Sequence, residues 1–131
     1  MDHGAQAQGV AAVSDKLSNS VLADPAKFAQ SIVNRGEDWA DKNAAADLLE
    51  ETKSTLLASL IRDNFALPAW KAEAEAKANV NYYMHLQAMV EARKQANLAR
   101  VRYDGAKAMG EFARSAESTR RAEIQLGGRG A

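Results

Sequence analysis

From Val80 to Leu126 the chain runs 47 residues without a proline, and all eight of its Lys and Arg there fall between Arg93 and Arg121. At ~1.5 Å per residue, a helix over that stretch would be on the order of 70 Å long, more than one small globule can bury. The rest of a 131-residue chain has to be built around it. The expected fold is therefore all-α: an antiparallel helical hairpin or coiled coil with one long C-terminal helix and a short N-terminal helix. Composition points the same way, since 6% of residues are aromatic and only two are proline, a balance that favours long helices over sheet. Much of the 47% apolar fraction is alanine, which contributes little buried area per residue, so the core should be thin and narrow.

Within the long helix two apolar patterns lie side by side. Val90, Val101 and Phe112 recur every eleven residues, as do Leu86, Asn97 and Ala108; that spacing corresponds to about 3.67 residues per turn and a nearly straight seam. A neighbouring stripe of Met89, Ala92, Ala96, Ala99, Tyr103, Ala106 and Ala113 is dominated by small side chains. Two stripes allow two partners, an earlier helix folded back on one and a second copy of the chain on the other. The small-residue stripe is the expected oligomer interface. Gly105 and Gly110 each cost the helix roughly 1 kcal/mol relative to alanine and mark a close crossing or a soft spot.

Upstream, residues 1–23 are rich in Ala, Gln, Gly and Ser and read as a flexible tail with a turn of helix around Val13–Leu17. Asp24 is a candidate N-cap with Pro25 at the first helical position, and Gly36 is a candidate stop, which would bracket a short helix with Phe28, Ile32 and Val33 on its apolar face. A second helix is expected from Glu37 to about Asn64, with Trp39, Ala46, Leu49, Leu56 and Leu60 on one face. Pro68 breaks it, AWKAEAEAKA forms a short helical segment, and Asn79 or Asn81 caps the long helix. Gly127 is the expected C-terminal cap. The implied organisation is a tail at 1–23, a hairpin domain at 24–126 and a flexible end at 127–131.

Net charge is zero, but residues 1–64 hold six Lys/Arg against ten Asp/Glu, giving −4, while residues 65–131 hold eleven against seven, giving +4. In an antiparallel pair, Glu37, Asp38, Asp41, Asp47, Glu50 and Glu51 would face Arg93, Lys94, Arg100, Arg102 and Lys107. Flanking pairs of this kind are worth only ~0.2–1 kcal/mol each but set register. The distal Arg114, Arg120, Arg121 and Arg129 would extend past the expected start of the earlier helix. Arg114, Arg120 and Arg121 are the expected nucleic-acid contact, weak and without base readout.

Catalytic chemistry has no visible constellation. The chain lacks cysteine, which removes disulfides, thiolate metal sites and cysteine nucleophiles. His3 falls in the expected tail and His85 stands alone, without ligands at metal spacing. Glu50 and Glu51 are adjacent and point about 100° apart on a helix. Trp39, Trp70, Tyr82, Tyr83 and Tyr103 read as anchors of the hairpin rather than base-stacking platforms. No phosphate loop, nucleophile elbow or dinucleotide fingerprint occurs. The longest apolar run, LLASLI, is far below the roughly 18 residues that span a bilayer, and the N-terminus lacks signal-peptide features. The expectation is a soluble, non-enzymatic protein without cofactor, metal or membrane partner.

The segments GEDWADKNAAADLLEETKSTLLASL and YYMHLQAMVEARKQANLARVRYDGAKAMGEFARSAESTRRAEIQ, with the charged-alanine stretch between them, resemble a family of small uncharacterised proteins of tailed bacteriophages and prophages. The resemblance covers roughly residues 36–126. It rests on WAD, LLEE and a following Lys, then Tyr, His and EAR, then AN-AR-RYD and a terminal RAE. What it implies is a setting among phage genes of DNA recombination and replication, in the host bacterial cytoplasm, with no catalytic residues to carry over. An accessory or adaptor acting through the long helix is expected, with a recombination or replication protein or DNA as partner. The alternatives are an inhibitor of a host protein or defence system, and a virion structural or assembly component.

Overall fold

Asp24 opens the first helix by its side chain: Oδ1 accepts the amide of Lys27 at 3.0 Å, while its carbonyl accepts the amide of Phe28 at 3.1 Å. Pro25 follows at the first helical position, where its missing N–H costs nothing. The computed structural model describes residues 24–129, and side chains as far as Gly128. The expected tail at 1–23, with His3 and the turn around Val13–Leu17, lies outside the described residues, as do residues 130–131 and the side chain of Arg129. The described residues are almost entirely helical, with no strand among them: α1 spans Pro25–Asp63, α2 Ala69–Ala78 and α3 Val80–Arg129.

Two expected helix ends are corrected. The chain does not stop at Gly36, because α1 passes through it, nor at Gly127, because α3 continues to Arg129. A glycine ends a helix when it takes up the left-handed conformation, and no described glycine has positive φ. At Gly36 the partly buried Ile32 and Trp39 on the adjoining turns keep the helix packed on both sides, which offsets the roughly 1 kcal/mol propensity cost. The expected short N-terminal helix is therefore the first third of α1.

The other boundaries follow from local chemistry. At the end of α1, Asn64 Nδ2 donates to the Leu60 carbonyl at 2.9 Å. Pro68, with φ −54° and ψ 149°, stands extended before α2, as its ring requires. Asn79 serves both neighbours: its amide donates to the Ala76 carbonyl at 3.2 Å, and its Oδ1 accepts the amide of Asn81 at 2.8 Å. Asn79, rather than Asn81, is thus the cap of α3.

Two compact units are formed, and α1 and α3 contribute to both. In the unit of residues 36–101, Leu60, Ala76 and Tyr82 are buried together, one from each helix, with Leu56, Leu57, Ile61 and Leu86 packed around them. Along this unit His85 meets Leu49, Arg93 meets Asn43, Asp47 and Glu50, and Arg100 lies over Trp39. Partner numbers on α1 fall as those on α3 rise, so the two stretches run in opposite directions. In the unit of residues 24–35 and 102–129, Phe28 is buried, as are Ala106 and Ala113. Alanine supplies seven of the ten buried hydrophobic positions among the described residues; the interior is as shallow as the composition implied.

The apolar face expected for α1 is the face it buries, with Ala46 and Leu60 inside and Trp39, Leu49 and Leu56 half-buried. On α3 the assignment of stripes is reversed. Val90, Val101 and Phe112 are 67–72% exposed, and Asn97 and Ala108 are exposed too. The small-residue stripe faces inward instead: Ala96, Ala99, Ala106 and Ala113 are buried, and Met89, Ala92 and Tyr103 are half-buried. This corrects the expected oligomer interface, whose residues are covered within the chain. The physical reason is the length of α1, which begins at Pro25 instead of Glu37 and so reaches the whole stripe. Small side chains there let two helices approach closely. Two of the five expected aromatic anchors are also corrected, since Trp70 and Tyr83 are exposed.

Candidate functional site

The distal arginines gather around one cavity of about 720 Å³ in the unit of residues 24–35 and 102–129. That volume lies within the range of ligand pockets. Phe28, Ala29, Ile32 and Ala113 form its apolar wall, and Arg114, Arg120 and Arg121 line it together with Glu117 and Ser118. The wall exists because Asp24 and Pro25 start α1 in register to set Phe28 against Gly110. A Cβ on Gly110 would lie 3.2 Å from Phe28 Cε1 and 3.5 Å from Ile32 Cδ1. Gly110 is therefore the close crossing. Gly105, with nothing within 4 Å of its would-be Cβ, is not.

Around the cavity, Glu117 is the only carboxylate among the lining residues, against three guanidinium groups. Arg120 grips it with two donors, Nη2 to Oε1 at 2.7 Å and Nε to Oε2 at 3.2 Å, and Arg121 Nε lies 3.6 Å from Oε1. The bond from Arg120 is the main reason that Glu117 is held below the usual carboxylate pKa, and Glu117 in turn raises that of Arg120. Arg114 pairs with no carboxylate among the described residues. The arrangement can attract an anion while offering its uncharged part an apolar surface.

A shallower groove of about 520 Å³ lies in the unit of residues 36–101, lined by Glu50, Met89, Val90, Arg93, Lys94, Asn97, Leu98 and Val101. Its polar edge is the Arg93 guanidinium, which donates from Nε to Glu50 Oε1 at 2.9 Å, from Nη1 to Asn43 Oδ1 at 2.8 Å and from Nη2 to Asp47 Oδ1 at 2.6 Å. Those hydrogen bonds, Glu50 first, push the Arg93 pKa up. The expected pairing of an acidic first helix with a basic last helix is thus seen at Arg93. Lys107 instead meets Asp104 on its own helix at 3.4 Å and lies over the Tyr103 ring at 4.2 Å.

His85 occupies a packing position: its Nε2 is 2.7 Å from the Leu49 carbonyl oxygen, and the residue is half-buried. Among the described residues no group of three or more His, Asp or Glu is placed to hold a metal ion, and no helix is long and apolar enough to cross a membrane. Glu50 is engaged by Arg93, and the adjacent Glu51 is exposed.

Sequence reasoning singled out Arg114, Arg120 and Arg121 but missed the apolar half of the cavity. Phe28 and Ile32 read as the face of a short helix with no assigned counterpart. The available signal was Gly110, whose missing side chain makes room for an aromatic ring. Compared with known proteins, the chain matches no family model, no curated protein and no solved structure.

Proposed function

We propose that the protein is a non-enzymatic phage accessory or adaptor, an antiparallel helical hairpin that contacts nucleic acid through Arg114, Arg120 and Arg121 and serves DNA recombination or replication in the host cytoplasm. The single observation behind nucleic-acid contact is the convergence of these three arginines on one cavity that contains one carboxylate. The phage setting rests on the resemblance of residues 36–126 described above. Contact of this kind is governed by phosphate attraction and is independent of base sequence. With about three phosphates neutralised, the log–log salt slope should be on the order of −3 on duplex and slightly smaller on single strands.

The test compares wild type with Arg114→Glu/Arg120→Glu/Arg121→Glu on a labelled oligonucleotide at low salt, with circular dichroism to establish that the helix persists. Loss of binding in the variant and a slope near the stated value support the proposal. Equal binding by both, or none by either, removes nucleic acid from it. Capture from infected cells with mass spectrometry separates the remaining roles: a recombinase or replication protein supports the accessory reading, a host enzyme supports an inhibitor, and presence in purified particles supports a virion component.

A further inference from the structure

On the side of α3 that α1 does not cover, the residues of the 36–101 unit follow a second pattern that the alternation of buried alanines conceals. Val80, Tyr83, Gln87, Val90, Lys94, Asn97 and Val101 are separated by alternating steps of three and four, the spacing of a coiled-coil seam. The apolar members are exposed: Val80 64%, Tyr83 59%, Val90 72% and Val101 67%, with Met84 at 57% and Leu98 at 38% beside them. Together these six side chains leave on the order of 600 Å² uncovered, the upper end of what a monomer ordinarily leaves open. Two such faces in contact would bury on the order of 1,200 Å², the lower limit for a specific protein–protein interface.

We propose that this face binds a second copy of the chain, antiparallel, with the two-fold axis at the level of Ala92. The charges select that arrangement. In a parallel, in-register pair Lys94 would lie against its own counterpart, two like charges in the middle of the seam. In the antiparallel pair centred on Ala92, Tyr83 lies on the partner's Val101, Gln87 on the partner's Asn97, and Val90 on the aliphatic stem of the partner's Lys94. The flanks then match as well. In an antiparallel pair the same flank of each helix meets across the interface, so Met84 comes beside the partner's Leu98. Near the axis the two Glu91 carboxylates approach each other, with the Lys94 ammonium of the opposite copy reaching from the seam beside each. Each contact away from the axis occurs twice, as a closed two-fold dimer requires. The groove bounded by Val90, Lys94, Leu98 and Val101 provides the recess for the opposing ridge.

The three polar seam residues make this a modest association that fixes register at a cost in affinity. Association should be weak, as for the small, transient class of interface. The interface uses no residue of the arginine cavity, so it stands or falls separately from nucleic-acid contact.

Sedimentation equilibrium of the full chain from about 1 to 300 μM tests it, joined to a charge-reversal cycle. Glu91 and Lys94 are exposed, so reversing them leaves the interior intact. Lys94→Glu and Glu91→Lys should each weaken dimerisation about tenfold or more, and Glu91→Lys/Lys94→Glu should return it to within about threefold of wild type. Because the chain has no cysteine, orientation can be read by mild oxidation: a mixture of Tyr83→Cys and Val101→Cys proteins should cross-link to each other in preference to themselves. A monomer across the whole range, single reversals that leave association unchanged, or self-cross-linking of Val101→Cys in preference to the mixed product would each overturn the proposal.

Discussion

The two compact units join similar helices by different means. In residues 36–101, directional contacts dominate: one guanidinium holds three side chains of α1 at once, His85 reaches the Leu49 carbonyl, and a buried tyrosine joins three helices in one cluster. In residues 24–35 with 102–129, the defining contact is one aromatic ring seated on one glycine, and beside it the surface opens into a cavity lined by arginines. Directional bonds specify register, because only one pairing satisfies them. A ring on a glycine specifies closeness instead, and among the described residues the arginines beside it pair within α3, at Glu117, or with no carboxylate, as at Arg114, instead of with α1.

The largest effects should come from removing the apolar core of each unit. Leu60→Ala should cost about 2–4 kcal/mol and lower the main unfolding transition. Phe28→Ala should cost about 3 kcal/mol, with the loss concentrated in residues 25–35 and 102–114 when amide hydrogen exchange is followed. If Phe28→Ala raised exchange equally throughout residues 36–101, the distinction between the units would be gone.

The two glycines of α3 sharpen the comparison. Gly105→Ala places a methyl in open space and should stabilise the chain by about 0.5–1 kcal/mol through helix propensity. Gly110→Ala gains the same propensity but sets its Cβ 3.2 Å from Phe28, so the thermal midpoint should stay level or fall. Equal stabilisation by both substitutions would mean that the ring yields freely and that closeness is not specified at Gly110.

A smaller effect is expected at Arg93. Arg93→Lys retains the charge but cannot present the planar fork to Asn43, Asp47 and Glu50 together, so a modest fall in melting temperature should accompany it, equalled or exceeded by Arg93→Ala. The smallest effect is electrostatic. Glu117 has its pKa lowered by Arg120, so its contribution is present above the ordinary carboxylate range and is lost as pH falls through its depressed value. Acid titration should loosen the helix around residues 114–121 only below that ordinary range, and Glu117→Gln should abolish this pH dependence. An unchanged acid profile in Glu117→Gln would show that the Arg120 pairing contributes nothing measurable.

How much could be read beforehand differs between the elements. The helices, the Asp24–Pro25 start, the Pro68 break and the inward face of α1 follow from local chemistry and from periodicity, and they are found where the sequence implies them. Missed were the continuation of α1 through Gly36, the burial of the alanine stripe and half of the arginine cavity. A glycine is only a permitted stop, and whether it stops depends on what the flanking turns pack against. For the same reason Val90, Val101 and Phe112 look more like a core than Ala96, Ala99 and Ala106 do, since hydrophobicity ranks side chains without saying how near two backbones come. The sequence by itself determined the all-α class of the described residues, where their main turns fall and that their interior is thin. Tertiary structure decided which stripe of α3 is interior, because close approach of two helices favours the smallest side chains and leaves the larger ones outside.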